Sequence, residues 1–310
     1  MAIETLGAFL KACRDKTDPE AVGLDPGRGR RRVPGLRREE IARLAGVSVG
    51  YYTRIEQGQT AAASAQVLYA LASVMRLTDT EKAHLSNLAS SPPRQRLVRE
   101  AAERPYPRVV ALLGSLRETI PAVVLGRRGD ILAWNHAGHE LCFPHYPYDA
   151  PGDPERRPSV PWSFFLDPLV RDLYANWDDL APVHVAYLRL TAGRYPGDAR
   201  LAELIGELSI RSSEFSTLWA RGEVADCTVG NMVLAHPTLG RLDLDYQVWL
   251  QPESPDHRLE IYTRNDNATA DALALLPDPL HQVRPPRHRP DSDWTPGLAL
   301  GKRPASITLQ

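Results

Sequence analysis

Two groups of residues in this chain have types and spacings that could do chemistry. The first is His136, His139, Cys142 and His145 in "HAGHELCFPH", three imidazoles and a thiol placed three apart. Such side chains bind zinc and other transition metals, but steps of three drift around a helix, and Pro144 breaks the helix before His145. No metal site is expected here, and one built on these four residues is kept as the alternative. The second group is Val49, Gly50, Tyr51, Thr53 and Arg54, inside "REEIARLAGVSVGYYTRIEQG", residues 38–58. Arg54 could form a bidentate contact to a guanine edge, Val49 could meet a thymine methyl, and Tyr51 and Thr53 could reach base or phosphate. Gly50 costs about 1 kcal/mol against Ala within a helix, which marks a close approach of backbone to DNA or a tolerated weakness.

The elements that must position the second group are legible around it. Leu36, Ile41, Leu44 and Ala45 supply one apolar face, Gly46 sits where a tight turn needs positive φ, and Val47, Tyr52 and Ile55 face back onto the preceding helix. The spacing predicts a helix-turn-helix whose second helix spans 49–57, with Ser48 as its cap and its hydroxyl and amide available to a phosphate. Arg38 and Arg43 are placed for phosphate contacts. The run "GRGRRRVPGLRR" adds Arg28, Arg30, Arg31, Arg32 and Arg37, which would follow the DNA backbone or enter a minor groove, or form a solvated charge cluster. Leu6, Phe9, Leu10 and Cys13 predict a first helix over 4–16, and Thr78 with Glu81 predicts a capping box on the last. An all-α domain of five helices over 1–89 is expected.

Residues 90–106, rich in Pro and charge, read as a linker. From 107 to 276 the pattern is α+β. Val109, Val110, Leu112, Leu113 and Leu116 mark a helix, "PAVVLGRRGDILAWN" is a hairpin turning at Gly129 and Asp130, and 166–221 is helical with Leu169, Leu173, Leu201 and Ile205 among the periodic positions. "RLDLDYQVWL" alternates Leu242, Leu244, Tyr246, Val248 and Leu250 as a strand with one face on a core, and "HRLEIYTR" is its neighbour. The expectation is an antiparallel sheet of about five strands with a helical insertion between the second and third. Residues 277–310 hold seven prolines with no period and read as a disordered tail.

Bulk properties bound the class. The chain has 310 residues, 43% apolar and 24% charged, which fits about two ordinary globular domains. It has neither an apolar run of about 18 residues nor a secretory leader, so a cytoplasmic protein without membrane contact is expected. Cys13, Cys142 and Cys227 are odd in number and far apart, arguing for free thiols. Residues 1–100 carry 16 Lys/Arg against 11 Asp/Glu, the remainder 21 against 27: a basic head on an acidic partner. There is no GxSxG, glycine-rich phosphate loop or HExxH, so no enzyme and no cofactor are expected.

"GVS" followed by an apolar helix ending in "RIEQG" resembles the phage-repressor-like, Xre-type helix-turn-helix, with Glu56 and Gly58 at its signature positions. The stretches "LGRRGDILAWN", "FFLDPLVRDLYANWDDLA", "AGRYPGDARLAELIGELSIRSSEFSTLWA", "HPTLGRLDLDYQ" and "LEIYT" resemble the ligand-binding domain of MmyB-like actinobacterial transcription regulators. That resemblance implies a PAS-like sensor fold with an apolar cavity for a fatty-acid-like molecule, joined to a helix-turn-helix that controls transcription. Between Ala220 and Pro237 the chain departs from the family by being less polar, and no headgroup contact is carried over. On physical grounds a cavity would draw its walls from Trp134, Phe164, Phe165, Trp177, Tyr187, Trp219, Met232, Tyr246 and Tyr262, which otherwise pack as core. Arg211, His236 or Arg194 could anchor a carboxylate. The function expected is a sequence-specific regulator that binds a double-stranded operator as a homodimer and responds to an apolar small molecule. The alternatives are a metal-responsive regulator and a second domain that only dimerises.

Overall fold

The computed structural model describes residues 4–24, 35–60, 63–90, 103–116, 119–252 and 254–276, Pro255 in its backbone only. Arg28, Arg30, Arg31 and Arg32, most of the 90–106 linker and the 277–310 tail lie outside these residues.

The N-terminal part folds into five helices, α1 (Leu6–Lys16), α2 (Arg38–Leu44), α3 (Val49–Glu56), α4 (Ala65–Val74) and α5 (Asp79–Ala89). Their starts are set by hydroxyls: Thr5, Ser48, Ser64 and Thr78 each accept a bond from a free amide of the first turn. Thr78 and Glu81 bond reciprocally, as the capping-box spacing predicts. Phe9, Leu10, Leu36, Ile41, Tyr52 and Leu71 are fully buried where these helices meet. Leu44 is not on that face; it is 38% exposed, because Ile41 and Ala42 already fill the buried side of a two-turn helix.

The remainder is α+β. After α6 (Pro107–Leu113) come strands β1 (Ala122–Leu125) and β2 (Ile131–Trp134). Six helices follow: α7 (His136–Cys142), α8 (Val160–Leu166), α9 (Pro168–Leu173), α10 (Trp177–Arg194), α11 (Ala199–Arg211) and α12 (Ser213–Ala220). Strands β3 (Val229–His236), β4 (Gly240–Gln251) and β5 (Ser254–Arg264) and a last helix, α13 (Asn267–Leu273), complete the domain. The five strands form one antiparallel sheet in the order β2-β1-β5-β4-β3. Alternation divides its faces: Val123, Leu125, Trp134, Leu242, Leu244 and Tyr246 enter the main core, while Ala122, Val124 and Leu259 pack against Val109 and Leu113 of α6. At the β3 edge the Asn176 carboxamide accepts from Val233 N at 2.9 Å, which occupies a donor that an open edge would leave unpaired.

Several expected apolar positions lie elsewhere, for geometric reasons. Helix α6 ends at Leu113, so only Val109 and Leu113, one turn apart, face the sheet, and Val110 and Leu112 are exposed. In the short α9, Val170 and Leu173 turn inward and Leu169 outward. Leu250 is exposed because β4 runs on past its pairing with β3, which stops at Gln247. Helix α13 was not anticipated from sequence; its Leu273 enters the main core.

Helix α10 touches both parts. The Glu4 carboxylate, just before α1, lies between His84 Nε2 of α5 at 3.1 Å and Arg189 Nη1 of α10, and none of the three side chains is more than 6% exposed. Arg189 also donates to the Trp219 carbonyl, and its guanidinium lies 4.1 Å over the Trp219 ring. One turn further on, Gly193 approaches so closely that a Cβ there would stand 2.2 Å from the His84 ring. Gly193→Ala is therefore expected to destabilise the chain by about 1–3 kcal/mol in urea unfolding, through overpacking between α5 and α10. Gly206→Ala, in α11 where an added Cβ meets nothing, should stabilise it by about 0.5–1 kcal/mol. Equal stability of Gly193→Ala and wild type would show that the α5–α10 contact is not held.

Candidate functional site

Helix α3 is fixed from behind by one buried carboxylate. Glu56, at the end of α3, accepts from Arg14 Nε of α1 at 2.8 Å, from the Tyr52 hydroxyl at 3.2 Å and from Arg38 Nε of α2. Arg14 in turn donates to the Leu36 carbonyl at 2.7 Å, so a single ionic hub ties three helices together. Glu56 holds the Arg14 guanidinium charged against burial, which would otherwise lower its pKa. Gly7 makes the close approach possible, since a Cβ there would lie 2.1 Å from the Glu56 carbonyl. Gly46 at φ 68° turns the chain between α2 and α3, and Ser48 caps α3 through Tyr51 N at 3.1 Å.

With the inner face committed, the other face of α3 is clear. Val49, Gly50 and Arg54 are exposed, and Tyr51 and Thr53 half-buried. Arg37 and Arg43 are exposed beside them, and Ser48, though capping, is exposed too. Arg38 differs from Arg37 and Arg43: its Nε is held by Glu56. An added Cβ at Gly50 meets nothing, so nothing in the protein itself requires glycine there.

The second site is a small cavity of about 30 Å³ between α10 and the inner face of β3, β4 and β5. Phe143, Val160, Leu180, Val183 and Met232 form its apolar wall, and Tyr174, His184, Cys227, Tyr246, Glu260 and Tyr262 its polar one. Pairing of β4 with β5 sets Tyr246 opposite Tyr262. The Tyr262 hydroxyl donates to Glu260 Oε2 at 2.9 Å, and the Cys227 thiol to the Tyr246 hydroxyl at 3.3 Å. Burial pushes the Glu260 carboxyl up, partly offset by the charge of Arg258, and pushes the Cys227 thiol up to about 11. Burial pulls His184 down to about 4, so its imidazole, tilted against the Phe164 ring at 4.2 Å between centroids, is neutral.

The structure brings three of the sequence candidates, Met232, Tyr246 and Tyr262, together on this wall. Trp134 bonds the Tyr148 carbonyl within the core, Phe164 stacks on Trp177, Phe165 packs edge-on to Trp177 and Phe215, and Trp219 stacks on Phe215. Tyr187 lies under the Arg258 guanidinium in a separate, polar depression that also takes in Arg194 and Arg127. His236 is buried against Glu140 O, and Arg211 pairs with Glu207 on the surface. Glu260, His184, Tyr174 and Cys227 were not singled out from sequence as cavity residues. Alternation in "HRLEIYTR" does place Glu260 and Tyr262 on one face, but the β4–β5 register and the position of α10 are needed to enclose them.

The four residues of "HAGHELCFPH" do not converge. Cys142 is buried in the core and His145 bonds Asp167 at 2.9 Å. Among the described residues the group near enough to share an ion is His136, His139 and Glu140, within 4.8 Å of one another. His139 already has Glu140 on one ring nitrogen and the Tyr146 carbonyl on the other.

A helix-turn-helix whose second helix exposes its outer face, joined to an α+β domain that encloses a cavity, defines the class: a ligand-responsive transcription regulator. Residues 5–85 match the helix-turn-helix domain family. Residues 106–276 match the MmyB-like transcription regulator ligand binding domain, and with more than half of its length so matched the chain belongs to that family. No curated protein matches the chain. No helix among the described residues is long and apolar enough to cross a membrane.

Gly50→Ala should stabilise the chain by about 0.5–1 kcal/mol, and, if DNA backbone approaches α3 there, weaken operator binding at the same time. Unchanged affinity would show that DNA does not come close at this position. His184 yields a pH prediction. The unfolded chain takes up a proton near the ordinary value of 6.5 and the folded chain only near 4, so wild type should lose stability relative to His184→Gln as pH falls through that window. Parallel stability curves for the two would contradict the burial of a neutral His184.

Proposed function

We propose that the chain is a sequence-specific regulator that binds double-stranded operator DNA as a homodimer and adjusts that binding to an apolar small molecule held in the cavity. Residues 1–89 serve as the DNA-reading domain, 90–106 as the linker and 107–276 as a PAS-like sensor. The PAS-like reading rests on the antiparallel five-stranded sheet with its helices inserted between β2 and β3. Arg54 reads a base, with Val49, Tyr51 and Thr53 beside it, while Ser48, Arg37, Arg38 and Arg43, together with Arg28, Arg30, Arg31 and Arg32, hold phosphates. A homodimer follows from economy of contact, since one eight-residue recognition helix reads too few bases for useful specificity. The family resemblance makes a fatty-acid-like molecule the first ligand to consider.

The observation that carries the regulatory part is the double role of α10. Leu180, Val183 and His184 border the cavity, and Arg189 and Gly193, two to three turns along the same helix, rest on Glu4 and His84 of the DNA-reading part. A ligand that shifts α10 changes the footing of that part, provided its affinity differs between the two placements.

The DNA half is tested on an operator located by footprinting upstream of the chain's own and neighbouring genes. Arg54→Ala should weaken specific binding by about 1–3 kcal/mol and leave binding to random DNA nearly unchanged. An Arg43→Ala chain should weaken both alike and reduce the salt slope by about one. Equal loss on specific and random DNA for Arg54→Ala would contradict a base-reading role.

A further inference from the structure

The imidazoles of "HAGHELCFPH" take no part in DNA reading or in the cavity wall, and the fold regroups them. Cys142 joins the main core and His145 bonds Asp167, while Glu140 comes in beside His136 and His139. Positions 136, 139 and 140 of α7 stand three and four apart, so their side chains share one face of the helix. One ligand atom of each lies within 4.8 Å of the others. Two imidazoles and a carboxylate are a donor set for a zinc-class cation that keeps a position open to water.

The contacts of His139 point the same way. Its Nε2 lies 2.8 Å from the Tyr146 carbonyl and its Nδ1 2.9 Å from Glu140 Oε1, so both ring nitrogens face acceptors. A neutral imidazole carries one N–H. Given to the Tyr146 carbonyl, it leaves the Nδ1 lone pair against a carboxylate oxygen, a contact that only a cation between them, a proton or a metal ion, resolves. An N–H bond from the far nitrogen to a backbone carbonyl is also how a metal-bound histidine is held in orientation and tautomer. Two ligands of a tetrahedral zinc stand about 3.3 Å apart, so the His139–Glu140 pair has only a few tenths of an ångström to open.

His136 favours the metal over the proton. Its Nε2 is buried and makes no hydrogen bond among the described residues, a polar atom out of water with nothing to meet it. His136 and Glu140 are half-buried, so their side chains can turn to close the remaining gap, and an ion can reach them from solvent. The Tyr148 ring lies against both imidazoles, 6.0 Å from His136 and 5.3 Å from His139. Beneath the group, the Glu140 carbonyl accepts from His236 Nε2 of β3 at 3.1 Å, which fixes the backbone of α7 to the sheet.

We propose that His136, His139 and Glu140 form a binding site for a zinc-class divalent cation, with His139 ligating through Nδ1, His136 through Nε2 and water completing the shell. The site uses no thiol and stands independently of what the cavity holds.

The test is equilibrium dialysis of the full chain against zinc chloride at neutral pH, on wild type, His136→Ala, Glu140→Gln and, outside the group, His145→Ala. Wild type is expected to retain one zinc per chain at this group and His145→Ala to match it within twofold, whereas His136→Ala and Glu140→Gln should bind about tenfold or more weakly. Cobalt(II) in place of zinc reads the donor set: wild type should show visible ligand-field bands without the intense near-ultraviolet band of a thiolate. Should a variant fail to fold, zinc retention and the cobalt spectrum of wild type decide. Zinc held at wild-type affinity by either variant of the group, or a thiolate band, would overturn the assignment. So would a wild type that retains no zinc, and the cation between His139 and Glu140 would then be a proton.

Discussion

The Glu4 carboxylate, sealed between Arg189 and His84, imposes the constraint on which the packing of α10 against the helix-turn-helix part turns. A charge removed from water must be paired in good geometry, and once it is, removing either partner leaves the other stranded at a cost of several kcal/mol. Such a pair adds little net stability compared with an apolar contact, but it tolerates only a narrow set of placements. Gly193 narrows them further, because α10 can approach α5 only where no side chain intervenes. Val224 and the Lys16–Glu223 pair extend the same contact at its rim. Since α10 also forms one wall of the cavity, the cavity and the helix-turn-helix part share one helix.

The same physics operates on a smaller scale inside the helix-turn-helix. Glu56 gathers Arg14, Arg38 and Tyr52, which fixes α3 from its inner side and leaves the outer side without structural duties. Exposure of Val49 and Arg54 is thus a consequence of how completely the opposite face is used. The cavity follows the reverse logic. Its apolar wall excludes water, and that exclusion raises the stakes for each polar group on it: His184 is kept neutral, the Cys227 thiol stays protonated, and Glu260 has the charge of Arg258, then the Tyr262 hydroxyl, to temper its burial.

Much of the helical part was legible in the sequence because its signals are local. Gly46, Ser48 and the Thr78–Glu81 pair act within one turn of where they stand, and the faces of α1 and α3 follow from a 3.6-residue period. The strands were readable by alternation, and errors came where an element ended sooner or ran longer than its apolar pattern, as at Val110, Leu112 and Leu250. The cavity was only partly legible, since its walls come from elements far apart in sequence. Nothing local distinguishes Tyr246, which borders it, from Trp134, which fills core, and Glu260 becomes notable only once β5 pairs with β4 under α10. Glu4 gave no signal either, as its partners lie 80 and 185 residues away.

The most direct measurement of the link through α10 is amide hydrogen exchange on the full chain with and without a saturating short-chain alcohol, a probe whose headgroup is neutral. A coupled α10 predicts altered protection both at the cavity, in 177–188, and in α5, at 79–89, which the probe does not touch. Changes confined to the cavity walls, with α5 exchanging as before, would contradict the claim that occupancy of the cavity is felt by the DNA-reading helices.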